Sequence, residues 1–211
     1  MSRSPTASAA TEAAPLSPTV EVTDPRSLRG LAHPTRLSLI GLLRREGPLT
    51  ATEAGAALGE SPASCSFHLR QLAKYGLVVE AGRSGRRRPW RATARTTSWP
   101  AVATDPEQAA AATELSTVLA ERYAAAVIAY LRRRDTETVE WQNAAMFGDA
   151  ILYVTAEELA QIGEQVEAVL ARYAERTHDA RLRPEGARQV TFVRLAFPET
   201  GAAVAPRRRR R

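Results

Sequence analysis

Apolar positions in the first half of the chain recur three and four residues apart, in three short runs. Leu37, Ile40 and Leu43 make the first, stopped by Gly47-Pro48; Ala54, Ala57 and Leu58 make the second, stopped by Gly59; Cys65, Leu69, Leu72 and Ala73 make the third, stopped by Tyr75-Gly76. Such spacing puts each set on one face of a helix. The start signals agree. His33-Pro34 precedes the first run, and Thr50 with Glu53 three residues on forms a capping box before the second. Ser61 caps the third, with Pro62 at the first helical position, where a missing N–H costs nothing. Past Gly76 the pattern changes. Leu77–Ala81 and Pro89–Ala94 read as two strands joined by the Gly/Arg stretch 82–88. Helix, short helix, three-residue turn, helix and hairpin is a helix-turn-helix followed by a wing.

The second half has its own periodicity. Leu115, Val118, Leu119, Tyr123, Val127 and Leu131 lie on a broad apolar face of a helix predicted over about Pro106–Arg134. At 1.5 Å per residue it spans about 40 Å. Asp149–Val154 reads as a strand. Thr155 and Glu158 form another capping box, opening a helix through Leu159, Ile162, Val166, Val169, Leu170 and Tyr173. Arg188–Phe197 reads as a further strand, and strand–helix–strand of this length permits a right-handed parallel crossover. The fold class expected is mainly α with a small β component (α+β). The expected organisation is a disordered leader at 1–23, a winged helix-turn-helix at 24–98, a helical region with two short strands at 104–199, and a disordered basic tail at 200–211.

Charge separates these parts. Residues 24–95 carry a balance of +8, residues 96–206 a balance of −6, and Arg207–Arg211 add +5. Basic residues on one domain supply the salt-sensitive, sequence-independent part of DNA affinity. The third helix presents Ala63, Ser64, Ser66, Phe67, His68, Arg70 and Gln71 away from its apolar stripe. Small and polar residues there let a helix enter a major groove, where Ser, Arg and Gln reach base edges. Arg83, Arg86, Arg87 and Arg88 on the hairpin tip suit phosphates or a minor groove. These residues are the expected DNA contacts.

Two motifs resemble those of ArsR-type bacterial transcriptional regulators. Leu31-Ala32-His33-Pro34-Thr35-Arg36-Leu37 is similar to the opening of that family's winged helix. Ser66-Phe67-His68-Leu69-Arg70-Gln71-Leu72 with Gly76-Leu77-Val78 is similar to its recognition helix and exit. The resemblance covers residues 28–94. It implies a winged-helix fold, DNA binding and repression by steric exclusion of polymerase. The family's metal sensing is not carried over. The stretch Ala51–Leu58, where many members hold paired thiols, has none, and the long helix has no histidine. Cys65 is the only cysteine, and one thiol cannot build a tetrahedral site. It reads as a small buried hydrophobe. His33 is expected at a helix start, His68 on the reading edge and His178 in a polar loop. No metal or other cofactor is expected.

A helix of that length beside a small winged helix suits packing against a twin. Leu115, Leu119, Tyr123, Val127 and Leu131 are the expected homodimer contacts, and a dimer places two recognition helices about 34 Å apart on palindromic double-stranded DNA. Trp141, Met146, Phe147, Tyr153, Phe192 and Phe197 are read as core and interface, or alternatively as an apolar pocket for a small-molecule effector. A protein-interaction winged helix without DNA binding is the other alternative. The arginine-rich wing argues against it. An enzyme is not expected, since no nucleophile–base pair, paired carboxylates or phosphate loop occurs at usable spacing. No apolar run approaches the roughly 20 residues of a membrane span. Neither a signal peptide nor a disulfide is expected, so the protein is expected in the cytoplasm.

Overall fold

The computed structural model describes residues 16–82, 87–100, 102–103 and 105–199. Its elements follow from caps and stripes. Strand β1 (Ser17–Glu21) leads into α1 (Pro25–Leu31), whose N-cap Asp24 accepts a 2.9 Å hydrogen bond from the Ser27 N–H. Next come α2 (Pro34–Glu46), α3 (Ala51–Leu58) and α4 (Pro62–Lys74). The hairpin strands are β2 (Val78–Glu80) and β3 (Trp90–Ala92), followed by β4 (Ala94–Ser98) and the long helix α5 (Pro106–Leu131). Beyond it lie α6 (Val139–Ala144), α7 (Ala156–Ala171) and α8 (Glu175–His178). The fold is α+β, with its few strands in two small sheets.

Capping sets the helix starts. His33 Nδ1 accepts from the Thr35 N–H at 3.2 Å, and Ser61 Oγ accepts from the Ser64 N–H at 3.1 Å. In the α3 box, Thr50 Oγ1 accepts from the Glu53 N–H while a Glu53 oxygen accepts from the Thr50 N–H. The same reciprocal pair, Thr155 and Glu158, opens α7. Gly59 (φ +70°) and Gly76 (φ +68°) take the left-handed turns that follow α3 and α4, a region L side chains rarely adopt. Gly55 matters for a different reason. A Cβ there would lie 2.7 Å from the Glu60 carbonyl oxygen, so its missing side chain lets the turn close against α3.

One core holds the N-terminal part together. Leu28, Leu31, Leu39, Leu43, Leu69, Leu72, Val78 and Leu115 are its largest fully buried side chains, with Cys65 among them. Burying each Leu contributes about 1.5–3 kcal/mol relative to leaving it exposed. Burial also pushes the Cys65 thiol pKa up, as expected of an inert packing residue. The wing sheet gains a third contributor, because Leu49 exchanges backbone hydrogen bonds of 3.0 and 2.8 Å with Trp90.

Several expectations change. The 1–23 segment expected to be a disordered leader contains β1, which pairs in parallel with β4 through Ser17↔Ala94 and Thr19↔Thr96. Thr19 and Thr96 join their hydroxyls at 2.7 Å. Neither β4 nor α1 is announced by periodicity, since β4 alternates half-buried residues with exposed ones only because β1 covers it. Asp149–Val154 and Arg188–Phe197 are not paired strands, so the strand–helix–strand crossover does not form. Each has apolar side chains but no neighbouring backbone ladder among the described residues. His178 ends the single turn α8 rather than lying in a loop. The first 15 residues and the 200–211 tail lie outside the described residues.

Candidate nucleic-acid interface

The buried stripe of α4 fixes which residues look outward. With Cys65, Leu69 and Leu72 turned into the core, Ala63, Phe67 and Arg70 form the most exposed edge, and Ser66 sits beside them half-buried. Arg70 donates to Ser66 Oγ at 2.6 Å, which holds its guanidinium along the helix surface. Phe67 is 51% exposed, an unusual place for a benzyl group unless something flat or methyl-bearing meets it.

His68 departs from the expected reading edge. It leans back on His33 with ring centroids 4.5 Å apart, and its Nδ1 is buried with no hydrogen-bond partner among the described residues. Burial comes first in lowering the pKa of both imidazoles, aided by the nearby Arg36. His68 is therefore a neutral packing residue between α2 and α4. Ser64 and Gln71 are likewise half-buried at the flanks.

The hairpin completes the surface. A cleft of about 610 Å³ opens between α3, α4 and the wing, lined by Thr50, Thr52, Glu53, Ser66, Arg70, Glu80, Arg87, Arg88 and Trp90. Arg88 is exposed there. Arg87 is not free: its Nη2 pairs with Glu53, the same carboxylate that caps α3. Hydrogen bonds from Thr50, ahead of the Arg87 contact, hold the Glu53 carboxyl below the usual carboxylate range, so it is ionised at neutral pH. The spacing of the capping box was legible in sequence; its contact with the wing, 34 residues away, was not. Arg83 and Arg86 lie outside the described residues.

The long helix is placed differently from the expectation. Leu115 is fully buried in the domain core, and Leu119 packs against it, so the near end of α5 is held by α1 and α2 of its own chain. Leu115 is thus a core residue rather than a dimer contact. Val127 and Tyr123 are half-buried, while Ile128 and Leu131 are exposed. Met146, Phe147, Tyr153, Phe192 and Phe197 are exposed as well. Trp141 lies under the Arg188 guanidinium, which sits 4.9 Å from the ring centroid. Arg188 also donates to Glu137 at 2.7 Å. Among the described residues no three His, Cys, Asp or Glu side chains come together as metal ligands. No described helix is long and apolar enough to cross a membrane.

Three helices, the hairpin and an outward polar edge define a winged helix-turn-helix domain, the type of domain through which DNA-binding regulators read DNA. A family model described as a helix-turn-helix domain matches residues 31–81. No curated protein matches the chain in sequence. Among solved structures, the chain is similar to MepR, a transcription regulator of the Staphylococcus aureus multidrug efflux pump MepA. The identity is 13%, the TM-score 0.28, and the match covers 70% of this chain and 90% of that one.

Proposed function

We propose that the protein is a homodimeric transcriptional repressor that reads a palindromic operator with α4 and its wing. The observation that carries this reading is the convergence of Ser66 and Arg70 with Arg87 and Arg88 on one open face of a domain whose balance is +8. Ser66 and Arg70 are suited to base edges, and the wing arginines to the backbone. The ArsR-type motifs support repression by occlusion. Dimerisation is supported by the exposed apolar residues of the second half, Ile128, Leu131, Phe147, Ile151, Tyr153 and Phe197 among them. Exposed apolar surface of that extent marks an interaction site.

The test is duplex binding by fluorescence anisotropy across a salt series, using genomic fragments selected by the protein itself. Arg87→Ala with Arg88→Ala weakens binding to every sequence and flattens the logarithmic salt slope by about 0.9 for each phosphate no longer neutralised. Arg70→Ala changes which fragment is preferred. Unaltered affinity and slope in the double variant overturn the wing assignment.

A further inference from the structure

We infer that the cleft between α2 and α5 is a binding site for a small organic acid of about single-ring size. The cleft measures about 190 Å³ and is open on one side. Its apolar walls come from both parts of the chain: Leu37 and Ile40 of α2, Trp99 after β4, and Leu119 and Tyr123 of α5. An apolar cavity of about 150 Å³ accepts a benzene ring, so this one has room for a ring with a small polar group. Gly41 forms part of the wall and keeps it open, since no side chain extends from α2 at that point.

The polar groups select the charge. Arg44 and Arg122 both line the cleft, and no Asp or Glu does. Arg44 donates Nε to the Ala94 carbonyl at 2.9 Å and Nη2 to Thr97 Oγ1 at 2.7 Å. Its Nη1 makes no hydrogen bond among the described residues. Arg45, on the same helix, approaches Gly41 as Arg122 does, and its Nε is buried without a partner among the described residues. None of the three arginines has a carboxylate within ion-pair distance among the described residues. Other arginines of the chain do, including Arg29 with Glu107 and Arg95 with Glu175. Burial alone lowers the Arg44 pKa, to about 10, and no acid offsets it. Arg44 is still cationic at neutral pH. A half-buried guanidinium on the wall of a largely apolar, acid-free cleft is an anchor that a carboxylate completes. Trp99 and Tyr123 supply faces for the ring. The site lies apart from the cleft of the wing, and its occupancy does not depend on the DNA-binding reading.

The experiment is calorimetry on the full chain without DNA, using benzoate and its neutral isostere benzamide. Benzoate binds saturably at one site per chain, and benzamide binds at least about tenfold more weakly, the loss expected when a charged hydrogen bond is removed. Arg122→Met keeps the apolar stem, leaves the Arg44 anchor in place, and weakens benzoate binding by a similar factor. Arg122→Lys restores most of it. Thermal unfolding of each variant verifies that it is folded. Absence of saturable heat with millimolar benzoate, equal binding of benzamide, or unchanged benzoate binding by folded Arg122→Met each overturns the site.

Discussion

Glu53 has two partners, and substituting it separates them. Its carboxylate accepts from the Thr50 N–H and hydroxyl, both at 2.8 Å, and its other oxygen pairs with Arg87. Glu53→Gln keeps an oxygen for the Thr50 N–H, because glutamine also completes a capping box. It removes the charge that competes with phosphate for Arg87. Both side chains are substantially exposed, at 41% for Glu53 and 65% for Arg87, so solvent screening limits the gain. An exposed pair of this kind corresponds to a change of about 1.5- to 5-fold in binding. Duplex affinity at low salt rises by that factor. If Arg87 gains a phosphate, the logarithmic salt slope steepens by about 0.9, so affinity falls by a further factor of about 3.5 between 50 and 200 mM salt. The decisive assay is a double-mutant cycle with Arg87→Ala, read by anisotropy, with thermal unfolding to verify that α3 stays capped. Arg87→Ala costs more affinity in the Glu53→Gln background than in the native one. Equal costs in the two backgrounds would show that Glu53 does not restrain the wing, and the reasoning fails.

Three further outcomes follow from burial, charge and space. Gly55→Ala gains about 1 kcal/mol of helix propensity but places a Cβ 2.7 Å from the backbone oxygen of Glu60, which cannot swing away; overpacking costs about 1–3 kcal/mol, so urea unfolding shows a net loss, and a gain of about 1 kcal/mol would refute the close approach. His33 and His68 have pKa values lowered in the folded protein, so the unfolded chain takes up protons first as pH falls through the ordinary 6.5. Stability from this pair is complete above that value and is lost below it; the unfolding midpoint drops between about pH 7.5 and about pH 5.5, and drops less in His68→Gln. For the dimer, Leu131→Asp with Ile128→Asp alters exposed positions away from the core; light scattering shows the monomer mass, and an unchanged dimer mass removes the far end of α5 as the interface.

Local chemistry determined much of this protein from sequence alone. Caps at Ser61, Thr50 and Thr155, turns at Gly59 and Gly76, and the stripe Cys65–Leu69–Leu72 each depend on residues within a few positions of one another, and each fixed an element or a face. The winged helix and its outward Ser66–Arg70 edge were therefore legible. Contacts between distant segments were decided by tertiary structure. β1 exists because β4 offers it a ladder; without that partner its Ser/Thr/Pro-rich sequence reads as leader. The apolar segments at 149–154 and 188–197 have strand composition but no ladder among the described residues, and composition supplies no partner. Leu115 and Leu119 share the helical period of Leu131, yet only packing shows that the first two belong to the domain core. His68 follows the outward pattern of α4 and still turns inward to His33. Glu53 reaches across 34 residues to the wing, and Arg44 and Arg122 converge from helices 78 residues apart around an acid-free cleft. Periodicity specifies which face of an element is apolar; only the assembled fold specifies what that face meets.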